Sequence, residues 1–346
     1  MLLRSFLWLA DYTYGFFYRT HRLEVVEFTP IGDDAGTQML WRNPHGFNVK
    51  SGEYVFVKLP WLENGGDEWH PFSIYLREAT EDGLGVFRKS LMRSVRGSED
   101  VEDEIEVEDE DLASFTQKII DNDFDIHQKN MISNEARQQI KKYDTTQVFI
   151  SPVGDWTKGL YNQVLGRKQL QSCWVKGPFT SPYFIAHDYG HFVMTASGIG
   201  ITPALGVMGQ FPGFSRTKIL VWCTRSKEML MFFAPLLKDA HLNVVFYTGK
   251  QKIALYELAT IQSYGNIYVE QNRAKSLTGT IESLIIQFEN NMNQDGPFVS
   301  TIKGLEMSHR QAWCVLYCGG SKHLRNEMEE FTKKNEIGWE CEQFNW

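Results

Sequence analysis

Residues 191–210 read HFVMTASGIGITPALGVMGQ, and this stretch decides the fold class. An apolar run typical of a buried strand ends at Ser197, a turn with two glycines follows, and Pro203 stands in the first turn of a predicted helix. Glycines let the backbone approach a ligand, and a helix N-terminus offers free N–H groups to a phosphate. The spacing G-x-G-x-x-P matches the usual dinucleotide fingerprint only loosely. The stretch therefore predicts either a phosphate-binding turn or an ordinary tight turn.

The pattern after this stretch alternates strands and helices. The predicted strands are KILVWCT, NVVFYTG and AWCVLYC, and the predicted helices are KEMLMFFAPLLKDA, IESLIIQFENN and KHLRNEMEEFTKKN. This alternation is typical of a doubly wound parallel sheet covered by helices. Before the stretch, short runs such as LEVVEF, TQMLW and GEYVFVKL are separated by turn residues. The predicted fold class is therefore an antiparallel, Greek-key type β-barrel followed by a doubly wound α/β domain.

The composition limits what the chain can be. Its 346 residues suggest two domains, and 42% hydrophobic with 23% charged residues excludes a wholly disordered or fibrous protein. The formal net charge is −8, but residues 99–111 alone hold ten acids in thirteen positions and no base. The acidity is therefore local, the rest of the chain is nearly neutral, and no nucleic-acid partner is predicted.

This acidic run belongs to a segment that interrupts the barrel pattern, at about residues 92–144. The run is followed by the polar stretch FTQKIIDNDFDIHQKNMISNEARQQIKKY. The composition predicts an inserted, largely disordered surface loop with one helix near residues 134–143. A regulatory or partner-binding segment is the alternative to a merely solvated insertion.

The cysteines and histidines predict no metal site. The five cysteines contain no C-x-x-C pair and show no zinc-binding spacing. His187 and His191 are four residues apart, but they precede a strand rather than share a helix. A chain with this much core needs no disulfide framework, so reduced thiols on the cytosolic side are expected.

The N-terminal residues are the part of the sequence that could span or contact a membrane. Residues 2–18 read LLRSFLWLADYTYGFFY, and Arg4 and Asp11 interrupt a run that is too short for a span of about 20 apolar residues. Aromatic residues next to the basic residues at 19–22 suit a headgroup interface. Residues 1–20 therefore predict an interfacial or juxtamembrane helix and a membrane-associated protein at the cytosolic face. The alternative is an amphipathic helix packed on its own domain.

Arg225 and Ser226 follow the next predicted strand, in the sequence WCTRS. In dinucleotide-binding folds this position meets the adenosine ribose, where an acid favours a free 2′-hydroxyl and an arginine favours a 2′-phosphate. The pair therefore favours NADPH over NADH. The alternative is a solvated arginine in a loop.

Three short motifs stand where such folds bind ligands. Residues 318–320 (Cys-Gly-Gly) end a strand and place a thiol and bare backbone where nicotinamide could lie, unless they are a packed thiol and a turn. Residues 70–73 (His-Pro-Phe-Ser) end a loop and start a strand. Residues 154–157 (Gly-Asp-Trp-Thr) start a helix, which makes a second anion site.

The motifs EYVFVKLPWL, EWHPFSI, GDWTKGL, GPFTSPY, ASGIGITPALG and YCGG occur in this order. Together they resemble the cytosolic dehydrogenase region of NADPH oxidases and ferric-chelate reductases, within the ferredoxin–NADP reductase superfamily. The resemblance covers residues 20–346 apart from the insertion. It implies an FAD-binding barrel domain at residues 21–182 and an NADPH-binding α/β domain at residues 183–346.

The sequence departs from the family pattern in two ways. The gap between HPFS and GDWT is far longer than in typical members, because of the insertion. The haem-bearing transmembrane bundle of the family is also missing. We therefore expect either a fragment of a longer protein or a chain that works beside a separate membrane subunit.

The resemblance assigns roles by position. Phe72 is expected to stack on the isoalloxazine ring, Ser73 to hydrogen-bond near its N5, and Cys318 to lie near the nicotinamide C4. Trp346, with Phe344 as the second candidate, is expected to cover the flavin. The expected catalytic residues are thus Ser73, Cys318 and Trp346. The expected cofactor-binding residues are His70, Pro71, Phe72, Ser73, Gly154, Asp155, Trp156, Thr157, Gly177, Gly198, Gly200, Thr202, Pro203, Arg225, Ser226, Cys318, Gly319, Phe344 and Trp346.

The function implied by the resemblance is hydride transfer from NADPH to FAD. Single electrons would then pass to haem in a membrane partner, and on to ferric iron or dioxygen. One alternative is a soluble NAD(P)H–flavin reductase with a protein or small-molecule acceptor. Another is a non-catalytic interaction module that uses the acidic segment as a docking arm.

Overall fold

The computed structural model describes both predicted halves of the chain. The described residues are 13, 19–32, 35–50, 52–77, 111–118, 145–165, 169–210, 217–271, 275–292, 301–302, 305–306 and 310–342.

Six antiparallel strands close into a barrel in the first half. They are β1 (Thr20–Ile31), β2 (Gly36–Arg42), β3 (Tyr54–Lys58), β4 (His70–Arg77), β5 (Thr145–Ile150) and β6 (Gln169–Phe179). Their order around the barrel is β1-β2-β5-β4-β3-β6. The consecutive strands β3, β4 and β5 are neighbours and β2 lies beside β5, which is a Greek key. In β3, Val55 and Val57 are fully buried while Tyr54 and Phe56 are not, as strand alternation requires.

The second half contains a parallel sheet of six strands. These are β7 (His191–Ser197), β8 (Lys218–Thr224), β9 (Leu242–Tyr247), β10 (Ile267–Glu270), β13 (Trp313–Cys318) and β14 (Gly338–Glu342), and the short β11 (Thr301–Ile302) and β12 (Leu305–Glu306) pair separately. The sheet order is β10-β9-β8-β7-β13-β14. Every residue of β9 and β13 is buried, because helices cover both faces.

The helices are α1 (112–118), α2 (Asp155–Val164), α3 (Ile201–Gln210), α4 (Lys227–Phe233), α5 (Leu255–Gln262), α6 (Leu277–Met292) and α7 (Lys322–Lys334). Side chains of α3, α4 and α5 pack on one face of the sheet. Side chains of α6 and α7 pack on the opposite face. The sheet is therefore doubly wound, and the predicted fold class is confirmed in both halves.

The two halves share a hydrophobic core. Tyr75 and Phe149 of the barrel belong to the same buried cluster as Phe233 of α4, and the rings of Phe149 and Phe233 are 4.9 Å apart. Helix α3 also touches the barrel backbone, since a Cβ at Gly206 would lie 2.5 Å from the amide nitrogen of Gly52. Helix α3 therefore packs on the barrel beside β4, since the same Cβ would lie 3.3 Å from the carbonyl oxygen of Ile74.

Several predictions fall on residues that the structure does not describe. Among residues 1–20 only Thr13, Arg19 and Thr20 are described, so the predicted interfacial helix lies outside, as does the helix predicted near residues 134–143. Helix α1 lies within the insertion and was not among the predicted helices. No helix in the described part of the chain is long and apolar enough to cross a membrane.

Candidate functional site

The first part of the site is an aromatic stack on the barrel. His70 and Phe72 are two residues apart in β4, so they face the same side, and both meet Trp156 of α2. The ring of Trp156 lies 4.4 Å from that of His70 and 5.9 Å from that of Phe72, with an angle of 28° to the latter. The indole N–H donates to the carbonyl of Gly65 at 3.1 Å, which fixes the ring. Three residues predicted to bind FAD are thus brought together.

This stack leaves little of Phe72 accessible. The side chain belongs to the barrel core and is 7% exposed, with one face against Trp156. Trp156 is just as buried, at 6% exposed, so the most accessible ring of this stack is that of His70, whose side chain is 19% exposed. The structure does not test whether Phe72 stacks on the isoalloxazine, and that role stays a prediction.

The start of α2 is the predicted anion site beside this stack. The backbone N–H of Gly154 donates to Oγ1 of Thr157 at 3.0 Å, and that hydroxyl donates to the carbonyl of Gly154 at 2.9 Å. The N–H groups of the first helical turn remain available to an anion, as at any helix N-terminus. Two carboxylates lie nearby, because Asp155 begins the helix and Glu68 lies 3.0 Å from Nε2 of His70. An anion bound here would therefore meet both the partial positive charge of the helix N-terminus and the negative charge of these two carboxylates.

Ser73 lies beside a second aromatic group, at the edge that faces the α/β domain. It pairs with Tyr54 across β3 and β4, and it is buried. The ring of Tyr54 stacks on Phe179 at 5.4 Å and 28°. Gly177 has a φ of +148° and its N–H donates to the carbonyl of Arg19 at 2.9 Å. Ser73 and Gly177 thus border one aromatic edge of the barrel, and their roles beside FAD stay predictions.

The glycine turn after β7 is closed on one side and open on the other. A Cβ at Gly200 would lie 2.3 Å from the carbonyl oxygen of Cys318, so only glycine fits there. Gly198 has a φ of +54°, and a Cβ added there would meet nothing within 4 Å. Its carbonyl accepts from the indole N–H of Trp222 at 2.9 Å. The hydroxyl of Thr202 donates to the carbonyl of Ile199 at 3.1 Å. The turn therefore presents bare backbone to open space at the N-terminus of α3, where Pro203 stands in the first turn.

The end of β13 lies against this turn. A Cβ at Gly319 would lie 2.0 Å from Oγ of Ser197, while Gly320 has open space around it. The side chain of Cys318 is fully buried, and burial raises the pKa of its thiol well above the ordinary value. The backbone of Cys318 adjoins the turn, whereas its sulfur is a protonated thiol inside the fold.

A buried carboxyl group that the sequence analysis missed lies beside this thiol. Glu342 ends β14 opposite Cys318, and its N–H donates to the hydroxyl of Tyr183 at 3.2 Å. Burial raises the pKa of Glu342 to about 7. Its Oε2 is buried and has no hydrogen-bond partner among the described residues. The sequence signal was a lone acid at the end of the strand GWECE, but its neighbours follow only from the sheet order.

Glu342 also connects the two domains electrostatically. Its charge raises the pKa of Tyr54 in the barrel, after the larger effect of burial, and likewise that of Cys318 in the sheet. Tyr54 is the strand partner of Ser73. The packing of α3 is consistent with this, because a Cβ at Gly206 would lie 3.3 Å from the carbonyl oxygen of Ile74, next to Ser73, while the turn before α3 lies against Cys318; the barrel edge and the sheet end thus border one junction.

Arg225 and Ser226 follow β8, on the other side of the sheet end. Arg225 is exposed. The hydroxyl of Ser226 accepts from the N–H of Met229 at 3.0 Å and donates to Oε2 of Glu228 at 3.1 Å. Ser226 thus serves as the N-cap of α4, and the exposed guanidinium of Arg225 supplies positive charge at this position. Trp346 and Phe344 lie outside the described residues.

No protein-family model and no curated protein matches the chain. Many solved structures resemble it at low identity, including the following three. Full-length CYP116B46 from Tepidiphilus thermophilus has 13% identity and a TM-score of 0.49 over 94% of this chain and 29% of that one. Amycolatopsis cytochrome P450 reductase GcoB has 13% identity and a TM-score of 0.46 over 94% and 70%. A ferredoxin NADP+ reductase from Neisseria gonorrhoeae with bound FAD and NADP has 12% identity and a TM-score of 0.47 over 94% and 98%.

This chain thus spans less than a third of the first of these proteins and nearly all of the third. Because every TM-score is below 0.5, the fold assignment rests on the strand order and registers of the chain itself.

Proposed function

We propose that the chain is an NAD(P)H-dependent flavin reductase module, with FAD on the barrel and NAD(P)H on the α/β domain. One observation carries the proposal. The glycine turn and helix α3 lie against both predicted cofactor sites, since a Cβ at Gly200 would press on the carbonyl oxygen of Cys318 and a Cβ at Gly206 would lie 3.3 Å from the carbonyl oxygen of Ile74, the residue after Ser73. FAD, when bound, would supply a ring that accepts a hydride from NAD(P)H and releases electrons singly.

The barrel residues fit a flavin nucleotide. His70 and Trp156 would hold it, and the first-turn N–H groups of α2, beside Gly154, would face its phosphates. Asp155 and Glu68 limit how much negative charge this surface accepts. Ser73 and Gly177 would border the ring at the edge nearest the α/β domain.

The sheet end fits the second nucleotide. The backbone at Gly198 faces open space, and α3 offers its N-terminus to the pyrophosphate. Thr202 and Pro203 complete the first turn. We propose that Arg225 recognises a 2′-phosphate, so NADPH is preferred over NADH. Ser226 adds little to this recognition because its hydroxyl already caps α4.

The residues at the junction hold protons and exclude water. Cys318 stays a neutral thiol, since burial raises its pKa. Glu342 gains and releases a proton near neutral pH at a buried oxygen, because burial raises its pKa to about 7. Trp346, with Phe344 as the second candidate, is the proposed aromatic cover.

We further propose that the electrons leave to haem in a membrane partner, and then to ferric iron or dioxygen. The motif order in the sequence supports this acceptor, and the aromatic and basic residues at 1–20 support association with a membrane at its cytosolic face. A chain that lacks residues 1–19 is expected to bind phospholipid vesicles less than the full chain. Equal binding of both would favour the alternative, a reductase that works in solution.

Cofactor binding tests the module directly. Titration of the chain with FAD should quench flavin fluorescence, and calorimetry should show NADPH binding to the FAD-loaded chain. A His70→Ala variant should lose FAD affinity and keep NADPH affinity, while Arg225→Ala should do the reverse. A wild-type chain that folds but binds neither cofactor would support the non-catalytic module instead.

A further inference from the structure

Tyr183 lies in the connector between the two domains, which we define as residues 181–189, after β6 and before β7. Pro182–Asp188 form a 3₁₀ helix, and the hydroxyl of Ser181 caps it by accepting from the N–H of Tyr183 at 3.3 Å. Both Ser181 and Tyr183 are buried, and the ring of Tyr183 belongs to the core cluster on the α3 face of the sheet. The connector therefore holds this ring in a fixed place inside the fold.

The connector lies along β14, which is an edge strand of the sheet. At the start of β14, a Cβ at Gly338 would lie 2.4 Å from the ring of Tyr189, so this ring packs directly on the glycine. At the end of β14, the N–H of Glu342 donates to the hydroxyl of Tyr183 at 3.2 Å. Two tyrosines of one connector thus hold the two ends of this strand.

The hydroxyl of Tyr183 uses all of its hydrogen-bonding capacity at the end of the sheet. It donates its proton to the carbonyl of Tyr317 in β13 at 2.6 Å. It accepts from the N–H of Glu342, and it also hydrogen-bonds the thiol of Cys318. A tyrosine hydroxyl has one proton and two acceptor positions, so the thiol is the donor in this third bond. One hydroxyl thus ties together β13, β14 and the side chain of Cys318.

The same bonds leave Tyr183 unable to supply a proton to a reaction. Its proton is donated to a backbone carbonyl, and its side chain is 1% exposed. Burial, with smaller contributions from Cys318 and Glu342, raises the pKa of the hydroxyl well above the ordinary value, so the group stays protonated. The role that remains for this hydroxyl is to orient the groups that it holds.

We propose that Tyr183 is a positioning residue for hydride transfer and that it acts through Cys318 and Glu342. The inference rests on the proposed function, in which the oxidation of NAD(P)H to NAD(P)+ transfers one hydride, with its two electrons, to FAD. The hydroxyl of Tyr183 fixes the carbonyl directly before Cys318, directs the thiol inwards and sets the position of Glu342. Because a displacement of about 1 Å can slow a reaction about a hundredfold, its loss should reduce the rate more than the affinity.

The infrared S–H band of Cys318 tests the contact without any cofactor. A hydrogen-bonded thiol absorbs at lower wavenumber than a free thiol, and the difference spectrum between wild type and Cys318→Ala assigns the band. Tyr183→Phe keeps the ring and removes the hydroxyl, so the band should move to higher wavenumber. Tyr161→Phe is the matched control, because it removes a buried hydroxyl that donates to the carbonyl of Gly32 in the barrel at 2.9 Å, and it should leave the band in place. An unmoved band in Tyr183→Phe would overturn the inference.

Separate measurements of rate and affinity test the positioning role. Anaerobic mixing of the FAD-loaded chain with saturating NADPH gives the rate of flavin bleaching, and calorimetry with NADP+ gives the affinity. In Tyr183→Phe the rate should fall at least about tenfold while the Kd changes by less than about twofold. Tyr161→Phe should keep both values. Ser181→Ala, which keeps the hydroxyl and removes the cap of the connector, should lower the rate by about threefold and serves if Tyr183→Phe does not fold.

The outcomes separate this inference from the function on which it rests. If wild type and Tyr183→Phe bleach at the same rate, or if rate and affinity fall together, Tyr183 does not position the reacting groups and the proposed function stands. If the wild type binds both cofactors but shows no bleaching, the proposed function is overturned, and the inference with it.

Discussion

The two sides of the proposed cleft, the glycine turn on the sheet and the aromatic stack on the barrel, differ in how open they are to a ligand. On the sheet side, Gly200 packs on Cys318 while Gly198 faces open space, so the turn is a formed and open cradle. On the barrel side, Trp156 lies over His70 and Phe72, so the surface is closed by its own side chain. The two proposed nucleotide sites thus differ, since one offers bare backbone and the other an aromatic stack.

The largest expected effect tests the closed side. Trp156→Ala should lower the free energy of unfolding by about 3–5 kcal/mol, because a buried indole is removed from the barrel core. Trp69→Ala is the control, since Trp69 is 37% exposed, and it should cost less than about 1 kcal/mol. Urea unfolding measures both. Equal losses would mean that Trp156 is not part of the core.

The second-largest expected effect is a change of stability with pH, and it comes from Glu342 at the junction of the barrel and the sheet. Burial raises the pKa of Glu342 from 4.5 to about 7, so the folded chain binds this proton more tightly than the unfolded chain. The contribution of this proton to the free energy of unfolding is fully present below pH 4.5 and is lost as the pH rises through about 7. The free energy of unfolding is therefore lower by about 3 kcal/mol at pH 8.

Glu342→Gln removes this loss. The stability difference between the variant and the wild type should grow in favour of the variant between pH 5 and pH 8. Urea unfolding across this range measures it. Parallel pH curves for the two chains would show that Glu342 does not titrate there.

The third effect tests the open side. Gly200→Ala should cost about 1–3 kcal/mol, because its methyl group would press on the carbonyl of Cys318, and it should weaken NADPH binding. Gly320→Ala is the control with open space around it, and its cost should stay within about 0.5 kcal/mol. Similar costs would show that the turn is not packed on β13.

The smallest effect concerns nucleotide choice. Arg225→Ala should reduce the preference for NADPH over NADH by about tenfold, as the loss of one charge-assisted hydrogen bond at an exposed site would. Lys238→Ala is the control, because Lys238 precedes the start of β9 and Arg225 follows the end of the parallel strand β8, so the two lie at opposite ends of the strands. The ratio of the two Kd values measures the effect. An unchanged ratio would remove Arg225 from the site.

The features that the sequence could predict are those that depend on local pattern. Alternating apolar runs predicted the barrel and the doubly wound sheet, because strand and helix periods are local. The glycine spacing likewise predicted the turn at Gly198 and Gly200. The position of Cys318 at the end of a strand was predicted, but the groups that act on its thiol, Tyr183 and Glu342, are distant in sequence.

The missed features are all long-range. Glu342 meets Cys318 only through the pairing of β13 with β14. Helix α1 follows the acidic run, whose composition favours disorder, and it is ordered by Tyr268 and Gln287 of the other domain. Local pattern predicts neither contact.

Anaerobic mixing of the FAD-loaded chain with NADPH or NADH tests the central claim most directly. If the two sites meet at the junction, NADPH should bleach the visible absorbance of the flavin, and NADH should do so more slowly. If both cofactors bind but the flavin absorbance stays unchanged with either nucleotide, the two sites do not form one cleft and the account is contradicted.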